Sequence, residues 1–599
     1  MKKTLLLAAI LGLTLHVHAL PFAWARMLQP TGGYGESKPR GIRYHQGAIY
    51  VFGSFKDEID LDHGASTKLV QSYNTYSHSG YLAKYDLLGN MLWGGSLKGI
   101  KTGNPNCIAP PYNEVMDLVF DNNHDLYITG YYDDSVRFEF GGQVKGLRSP
   151  CGVSSFMIKV DPGGDVLQTW QVTGLQCPTY FSGLSVALDP NQTCVYTLTD
   201  FYGTGDFDFS AGTKIYDHQI YTRFNLVMAR YTKSTMALEW SGMLQATKTL
   251  NGARILVDQQ KNMVVTGKFI GSMDIDPGPG TQMISSYDTS HFDYFVVKYD
   301  SLGAVQWVNQ CRYGGSFDFD VAMGQNGGLV LASNFSDHVD WMHNGSAAGT
   351  LTSNGASADL HCAKMDANGN VLWMRRIGGT YADYFQGLSL AADDRILLTG
   401  WFNIGTSLDP LSTGNDYPVN GYATNGMMIC LSPAGNFLFG GVSKALENPN
   451  NNGIGGATYV ASVWDPSGNL YLAGTNIWQS DVDPDTSAAA TGMVNNANNN
   501  FNSYIMRLGN LAPSNTANLA WNETLRVFPS PARDHITVET DREQLQAVQV
   551  FSLNGQCVFS AWPQSRSLKI DVSHWANGRY ILRHQTGKGT SHAGFQVQH

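Results

Sequence analysis

The chain has 599 residues, of which 15 % are charged and 12 % aromatic, with 65 glycines and a formal net charge of -10. Sparse charge with this much glycine and aromatic excludes a disordered chain and points to an all-β protein rich in tight turns. No lysine- and arginine-rich patch is present, which argues against a nucleic-acid partner.

Residues 1–19 read as a secretory signal peptide: Lys2 and Lys3 precede an apolar run from Leu5 to Leu15, and Val17-His18-Ala19 offers a small-residue cleavage site. That run is too short to span a bilayer, and no later stretch is long and apolar enough, so no transmembrane segment is expected. Next comes "FAWARMLQPTGG", which matches the second half of a hairpin found further on at Val371, "VLWMRRIGGT", with Trp24 in the place of Trp373.

From there the chain repeats itself. Two β-rich runs split by a glycine turn, such as "FVVKYDSLGAVQW" at Phe295, recur from Gly80, Ser155, Leu226 and Leu360 and in weaker form at Met427 and Ser503. The residue closing the first run is Lys84, Lys159, Arg230, Lys298, Lys364, Cys430 and Arg507. An earlier hairpin precedes each copy, as in "MVVTGKF" at Met263. Two hairpins make four strands, the content of one propeller blade. Residues 20–508 are therefore expected to form a seven-bladed β-propeller. The orphan strand at 20–33 would complete the last blade, which removes an open sheet edge. Short turns within hairpins would lie on one face of the ring, with the longer connections on the other.

The recurring Trp93, Trp240, Trp307 and Trp373 are read as packing between blades, since every blade must bury its faces on its neighbours. The repeated lysines are read as structural in the same way. Between hairpins stand segments such as "IDLDHG" at Ile59 and "MDIDPGPGT" at Met273. Their aspartates suit turn capping, because a carboxylate accepts backbone N–H bonds. Alternatively they could offer oxygens to calcium, the one cofactor considered, with Asp481, Asp483 and Asp485 as the best cluster. No copy carries a complete calcium-loop run. Eight cysteines in an exported chain permit disulfides. Cys107, Cys151 and Cys177 fall in segments read as connections, and a Cys107–Cys151 bridge is expected, with Cys177 as the competing partner.

The repeat unit resembles the secreted bacterial propellers called SBBP or beta-propeller-repeat proteins, a resemblance that implies fold and not function. Residues 509–523 are polar and read as a linker. The segment 524–599 then alternates short strands with turns at Asn554-Gly555 and Asn577-Gly578, as a small Ig-like β-sandwich does. This segment resembles the type A sorting domain of the type IX secretion system. Pro529 and Pro531 fall on that family's Pro-x-Pro element, Asn554 and Gly555 on its central turn, and Gly578 and Tyr580 on its Gly-x-Tyr element; Ser530 stands where the family has Asn. The resemblance implies type IX machinery as partner and a secreted or outer-membrane surface location in a diderm bacterium.

No nucleophile elbow, zinc helix or phosphate loop is present, and the histidines fall at no metal-ligand spacing. Every recurring polar residue has a structural use, and no irregular polar cluster stands out in the sequence. The function expected is a non-catalytic module binding a protein or glycan. The alternatives are a hydrolase or lyase with a composite site at the propeller channel, and a structural subunit of a surface assembly. Three or more Asp, Glu, His or Tyr side chains converging at the channel mouth would favour the enzyme.

Overall fold

The runs Met263–Ile270 and Asp293–Tyr299 are buried almost throughout. A strand alternates its side chains between two faces, and here each face meets a different neighbour. Val265, Phe295 and Val297 enter one core, with Leu198 and Met228. Val264, Tyr294 and Val296 enter the next, with Leu331 and Ala363. A sheet packed on both sides needs apolar residues at both parities, which is why these strands read as continuous apolar runs.

The structure is a computed structural model. It describes residues 22–510 and 525–599 apart from 32–34, 65, 105–109, 219–222, 313–318, 355–356, 403–405, 411–423, 446–455, 478, 485–492, 496–500, 541–544, 546, 553–556, 564 and 587–588. The signal-peptide segment and the linker fall outside these residues. All named elements are strands, and the fold is all-β. The chain divides into two compact units, Met1–Leu511 and Ala512–His599.

In the first unit the strands pair as four-stranded antiparallel meanders, here called blades. The first blade runs Glu36–His45, Ala48–Lys56, Ser79–Asp86, Met91–Ile100. Residues 113–171, 173–246, 249–312, 319–377 and 383–442 repeat that order. The closing blade takes Gly456–Trp464, Asn469–Ile477 and Asn502–Asn510 from the far end of the unit, and its outermost strand is Phe22–Pro30. Arg26 stands opposite Ile505 in that pairing. First strands of successive blades lie side by side, and Gly456–Trp464 lies against Glu36–His45, so the circuit closes.

Neighbouring blades are clamped at their hairpin turns. The Trp93 indole and the Lys84 ammonium both donate to the Pro162 carbonyl in the next blade's turn, each at 2.9 Å. Trp307 and Lys298 do the same to Ala367, both at 3.2 Å. Trp373 and Lys364 reach Pro433 at 3.1 and 3.3 Å. Gly164 turns at φ +95°, and a Cβ there would stand 3.0 Å from the Trp93 ring. Only glycine takes that conformation and admits the indole so closely.

A second brace uses the aspartate segments. Asp60 Oδ1 accepts the N–H groups of Asp62 and Lys68 at 3.0 and 2.8 Å. Asp274 Oδ1 accepts those of Asp276 and Gln282 at 3.1 and 2.9 Å. The small hairpins so held add onto the outermost strand of the preceding blade, Gln29 facing Asp60 and Gln245 facing Asp274.

The expected loop positions of two cysteines need correction. Cys177 lies inside the strand Thr173–Leu188 and Cys151 inside Lys145–Val160. These segments pair with each other, Val153 with Tyr180, so they are strands and not loops. The expected Cys107–Cys151 bridge falls on Cys107 and the side chain of Cys151, both outside the described residues; Cys177, its competing partner, is disulfide-bonded. Cys194, Cys311, Cys362 and Cys430 are buried free thiols. Burial pushes Cys362 and Cys430 up to about 12, so neither is a reactive thiolate at neutral pH.

The second unit stacks a three-stranded sheet (Leu525–Phe528, His535–Thr540, Ser567–Asp571) on a four-stranded one (Cys557–Ala561, Ala547–Ser552, Gly578–Thr586, Gly589–Val597). Ile536, Val550, Leu582 and Phe595 fill the space between them.

Candidate functional site

A repeated glycine shapes the channel. A Cβ on Gly53, Gly130, Gly267, Gly400 or Gly474 would lie within 2.4 Å of a backbone oxygen of the paired first strand. Each of those first strands bulges at this point, between Pro39 and Gly41, Val115 and Asp117, Gly252 and Arg254, Phe385 and Gly387, Tyr459 and Ala461. A bulge leaves one residue unpaired and re-aims its side chain. The residues so released are Arg40, Met116, Ala253, Gln386 and Val460, and all five line one cavity of about 510 Å³. The cavity is drawn from the first strands around the circuit, so it is the channel.

The residue after that glycine is Ser54, Tyr131, Lys268, Trp401 or Thr475, and its counterparts in the two remaining blades are Asp200 and Asn334. Opposite them across the first strand stand Lys38, Glu114, Asn251, Tyr384, Thr458 and, facing Asp200, Ser182. The glycine before Ser54 and its counterparts is kept in five blades and replaced by Thr199 and Ser333 in the other two. These positions differ from blade to blade and meet only in the closed circuit; Tyr131, Asp200, Asn334 and Thr475 are buried there, while Ser54, Lys268 and Trp401 are half-buried. The expectation that no irregular polar cluster exists is therefore overturned. Its members lie one per blade, far apart in sequence, and the readable signal was the variable residue after the strand glycine, as in Thr266-Gly267-Lys268-Phe269 and Thr399-Gly400-Trp401-Phe402.

Within this ring the Tyr131 hydroxyl donates to Glu114 Oε2 at 2.7 Å and lies 2.8 Å from the Tyr112 hydroxyl. Arg40 Nη1 stands 3.6 Å from Glu114 Oε1. Tyr384 and Trp401 stack with centroids 4.1 Å apart. The aromatic surface continues from Tyr131 to Tyr180, and Tyr180 stacks on Tyr202 at 5.8 Å. Deeper in, Asp117 is committed: it takes Arg43 at 2.8 Å and the Ser185 hydroxyl at 2.8 Å. Asp320 takes Arg254 through two nitrogens, one at 3.0 Å, and holds that guanidinium above its ordinary range.

Glu114, Tyr131 and Tyr112 meet the geometric condition set for an enzyme. Burial, followed by the Glu114 charge, pushes the Tyr131 phenol well above its ordinary range. A nucleophile or general base needs the opposite shift.

Of the calcium cluster, Asp481 and Asp483 are buried, and Asp481 Oδ1 accepts the Asp483 N–H at 3.1 Å; Asp485 lies outside the described residues. Among the described residues no three His, Cys, Asp or Glu side chains are grouped to hold a metal.

In the second unit, Pro529 and Pro531 both follow cis peptide bonds. The Ser530 hydroxyl accepts the Gln596 N–H at 2.9 Å. Tyr580 donates to the Ala576 carbonyl at 2.8 Å and packs between Trp575 and Phe595. Asn554 and Gly555 lie outside the described residues.

These features define an exported all-β protein with a separate C-terminal address. Residues 526–598 match the family described as secretion system C-terminal sorting domain, so that segment is such a domain and is handled by the type IX machinery. The protein is accordingly secreted or held at the cell surface of a Bacteroidota bacterium. Elsewhere, 360 residues are 24 % identical to an uncharacterized WD repeat-containing protein of Acanthamoeba polyphaga mimivirus, a match covering 52 % of this chain and 24 % of that protein, so the chain spans about a quarter of that relative's length. Among solved structures, PorZ of Porphyromonas gingivalis, a surface component of the type IX secretion system, aligns over 96 % of this chain and 100 % of its own at 10 % identity and TM-score 0.21. The phage phi92 endosialidase aligns over 97 % and 79 % at 10 % identity and TM-score 0.37. Scores this low bear on neither mechanism nor ligand.

Proposed function

We propose that this exported protein is a binding module whose ligand seats at the mouth of the channel. One observation carries the reading. In a fold that repeats its residues blade after blade, the positions around the mouth are the ones that differ, and they differ among polar and aromatic types. The accessible ones among them and beside them, Lys38, Arg40, Lys268 and Trp401, are of the types that binding surfaces use. The pairs Asp117–Arg43 and Asp320–Arg254 support the same reading, because each of these carboxylates is already held by a guanidinium.

The test compares the purified protein with a Lys38→Ala/Tyr131→Ala/Trp401→Ala variant on an array of glycans and cell-surface proteins. Binding by the native chain, lost in the variant and kept in a Trp562→Ala control, is the expected result. Equal binding by the triple variant would remove the mouth from the account.

The meeting of Glu114, Tyr131 and Tyr112 supports a second reading, a glycan hydrolase or lyase. Chromatography of any bound oligosaccharide after long incubation separates the two: shortened products that vanish in Glu114→Gln favour the enzyme.

A further inference from the structure

We infer that the ligand at the channel mouth is an anionic saccharide, with its sugar rings along the tyrosines and its carboxylate or sulfate groups among Lys38, Arg40 and Lys268. This rests on the reading of the mouth as the binding seat.

The charge of the cavity runs against that of the chain. The whole sequence carries 39 basic and 49 acidic residues. The cavity lining carries Lys38, Arg40, Arg43, Arg254 and Lys268 against two carboxylates, Glu114 and Asp320. A concave wall of one sign concentrates its field on whatever enters. Arg43 and Arg254 are held by Asp117 and Asp320. Lys38 and Arg40, at the rim, keep about half of their side chains in water (48 % and 43 %). Lys38 pairs with Glu36, and Arg40 Nη1 stands 3.6 Å from Glu114 Oε1, beyond hydrogen-bond distance, so the Arg40 guanidinium has donors left for a ligand's anion. Burial holds the Asp200 carboxyl, which feels Lys268, up to about 8, so near neutrality it is mostly protonated.

An aromatic surface adjoins the cavity at Glu114, which lines it and accepts the Tyr131 hydroxyl. Tyr112 lies 5.4 Å from Tyr131, and Phe224 lies 5.3 Å from Tyr180 and 5.4 Å from Tyr202, ring centre to ring centre. Flat apolar rings with hydroxyl edges suit the faces and hydroxyls of a sugar. A cavity of about 510 Å³ falls within the size of small-ligand sites, about 300–1,000 Å³.

Calorimetry on the full chain tests this with four probes: a hexamer of galacturonic acid, a heparin hexasaccharide, maltohexaose and a ten-residue oligothymidylate. One or both acidic saccharides should bind, weaken as salt rises, and exceed maltohexaose by about tenfold or more. Which acidic probe binds tells carboxylate from sulfate. Arg40→Ala and Lys268→Ala should each weaken binding about tenfold, with unchanged melting temperature, while Lys569→Ala leaves it alone. Maltohexaose binding equally well, with Trp401→Ala sensitive and Arg40→Ala not, overturns the anion and keeps the mouth. Acidic probes binding equally to every mouth variant overturns the mouth itself. Preference for the oligothymidylate, or no binding by any of the four, overturns the inference.

Discussion

The indole N–H of Trp24 donates to the carbonyl of Leu87 at 3.3 Å. Leu87 lies in the first blade's hairpin turn, and Arg507 reaches the same carbonyl at 3.5 Å. The two ends of the unit thus reproduce on the first blade the clamp that Trp93 and Lys84 form on the second. Trp24→Ala should cost about 3 kcal/mol in urea unfolding, as large-to-small changes at buried aromatics do. Leu92→Ala, at a position 53 % exposed on the same blade, should stay within about 0.5 kcal/mol. A Trp24→Ala protein as stable as Leu92→Ala would mean that the circuit does not depend on this join.

The sixth blade lacks the clamp. Cys430 and Phe439 stand where five of the other blades have a cation and tryptophan, the second blade having Lys159 and Gln168. Among the described residues no hairpin turn joins the next blade's third strand to its fourth, since the third ends at Asn510 and the fourth is the distant Phe22–Pro30. Restoring the consensus should therefore harm the protein. Cys430→Lys places an ammonium in a site with 0 % exposure and should cost about 3 kcal/mol or more. A melting temperature above the native value would show that a receiving carbonyl exists after all.

Asp200 gives the folded unit a pH dependence of definite sign. Burial raises its carboxyl to about 8, although the Gly252 N–H bonds it at 3.0 Å. In the unfolded chain it ionises near ~3.9. Between about 4 and about 8 the folded state holds a proton that the unfolded state has lost, so stability falls as pH rises through that window and levels off above it. Asp383, raised to about 7 by burial, acts in the same direction. Urea unfolding at pH 5, 6.5 and 8 should show this decline, and Asp200→Asn should flatten it, gaining most at pH 8. An Asn variant with the native slope would clear Asp200 of the effect.

Deleting residues 525–599 should leave the protein inside the outer membrane, as read by fractionation and protease access on intact cells. Tyr580→Ala should give a partial version, since the ring fills the sandwich core beside Trp575 and Phe595. Normal surface delivery of the truncated chain would mean that the address lies elsewhere.

Much of the architecture could be read from the amino acids because propeller packing is periodic. Val264 and Val265 must both be apolar when their two faces meet two blades, and Trp307 recurs because each turn needs a lid. The site was hidden for the same reason. Tyr131, Lys268 and Trp401 are single departures in separate copies, and only the closed circuit brings them to one rim. Cys177 was misplaced because pairing between Lys145–Val160 and Thr173–Leu188 depends on tertiary neighbours that local composition does not encode.

Phe22–Pro30 is the earliest part of the unit to leave the ribosome and its final piece to be seated. It waits for Asn502–Asn510, so nothing made in between can finish the circle. The seam between Phe22–Pro30 and Asn502–Asn510 therefore cannot form until the chain has been made as far as Asn510.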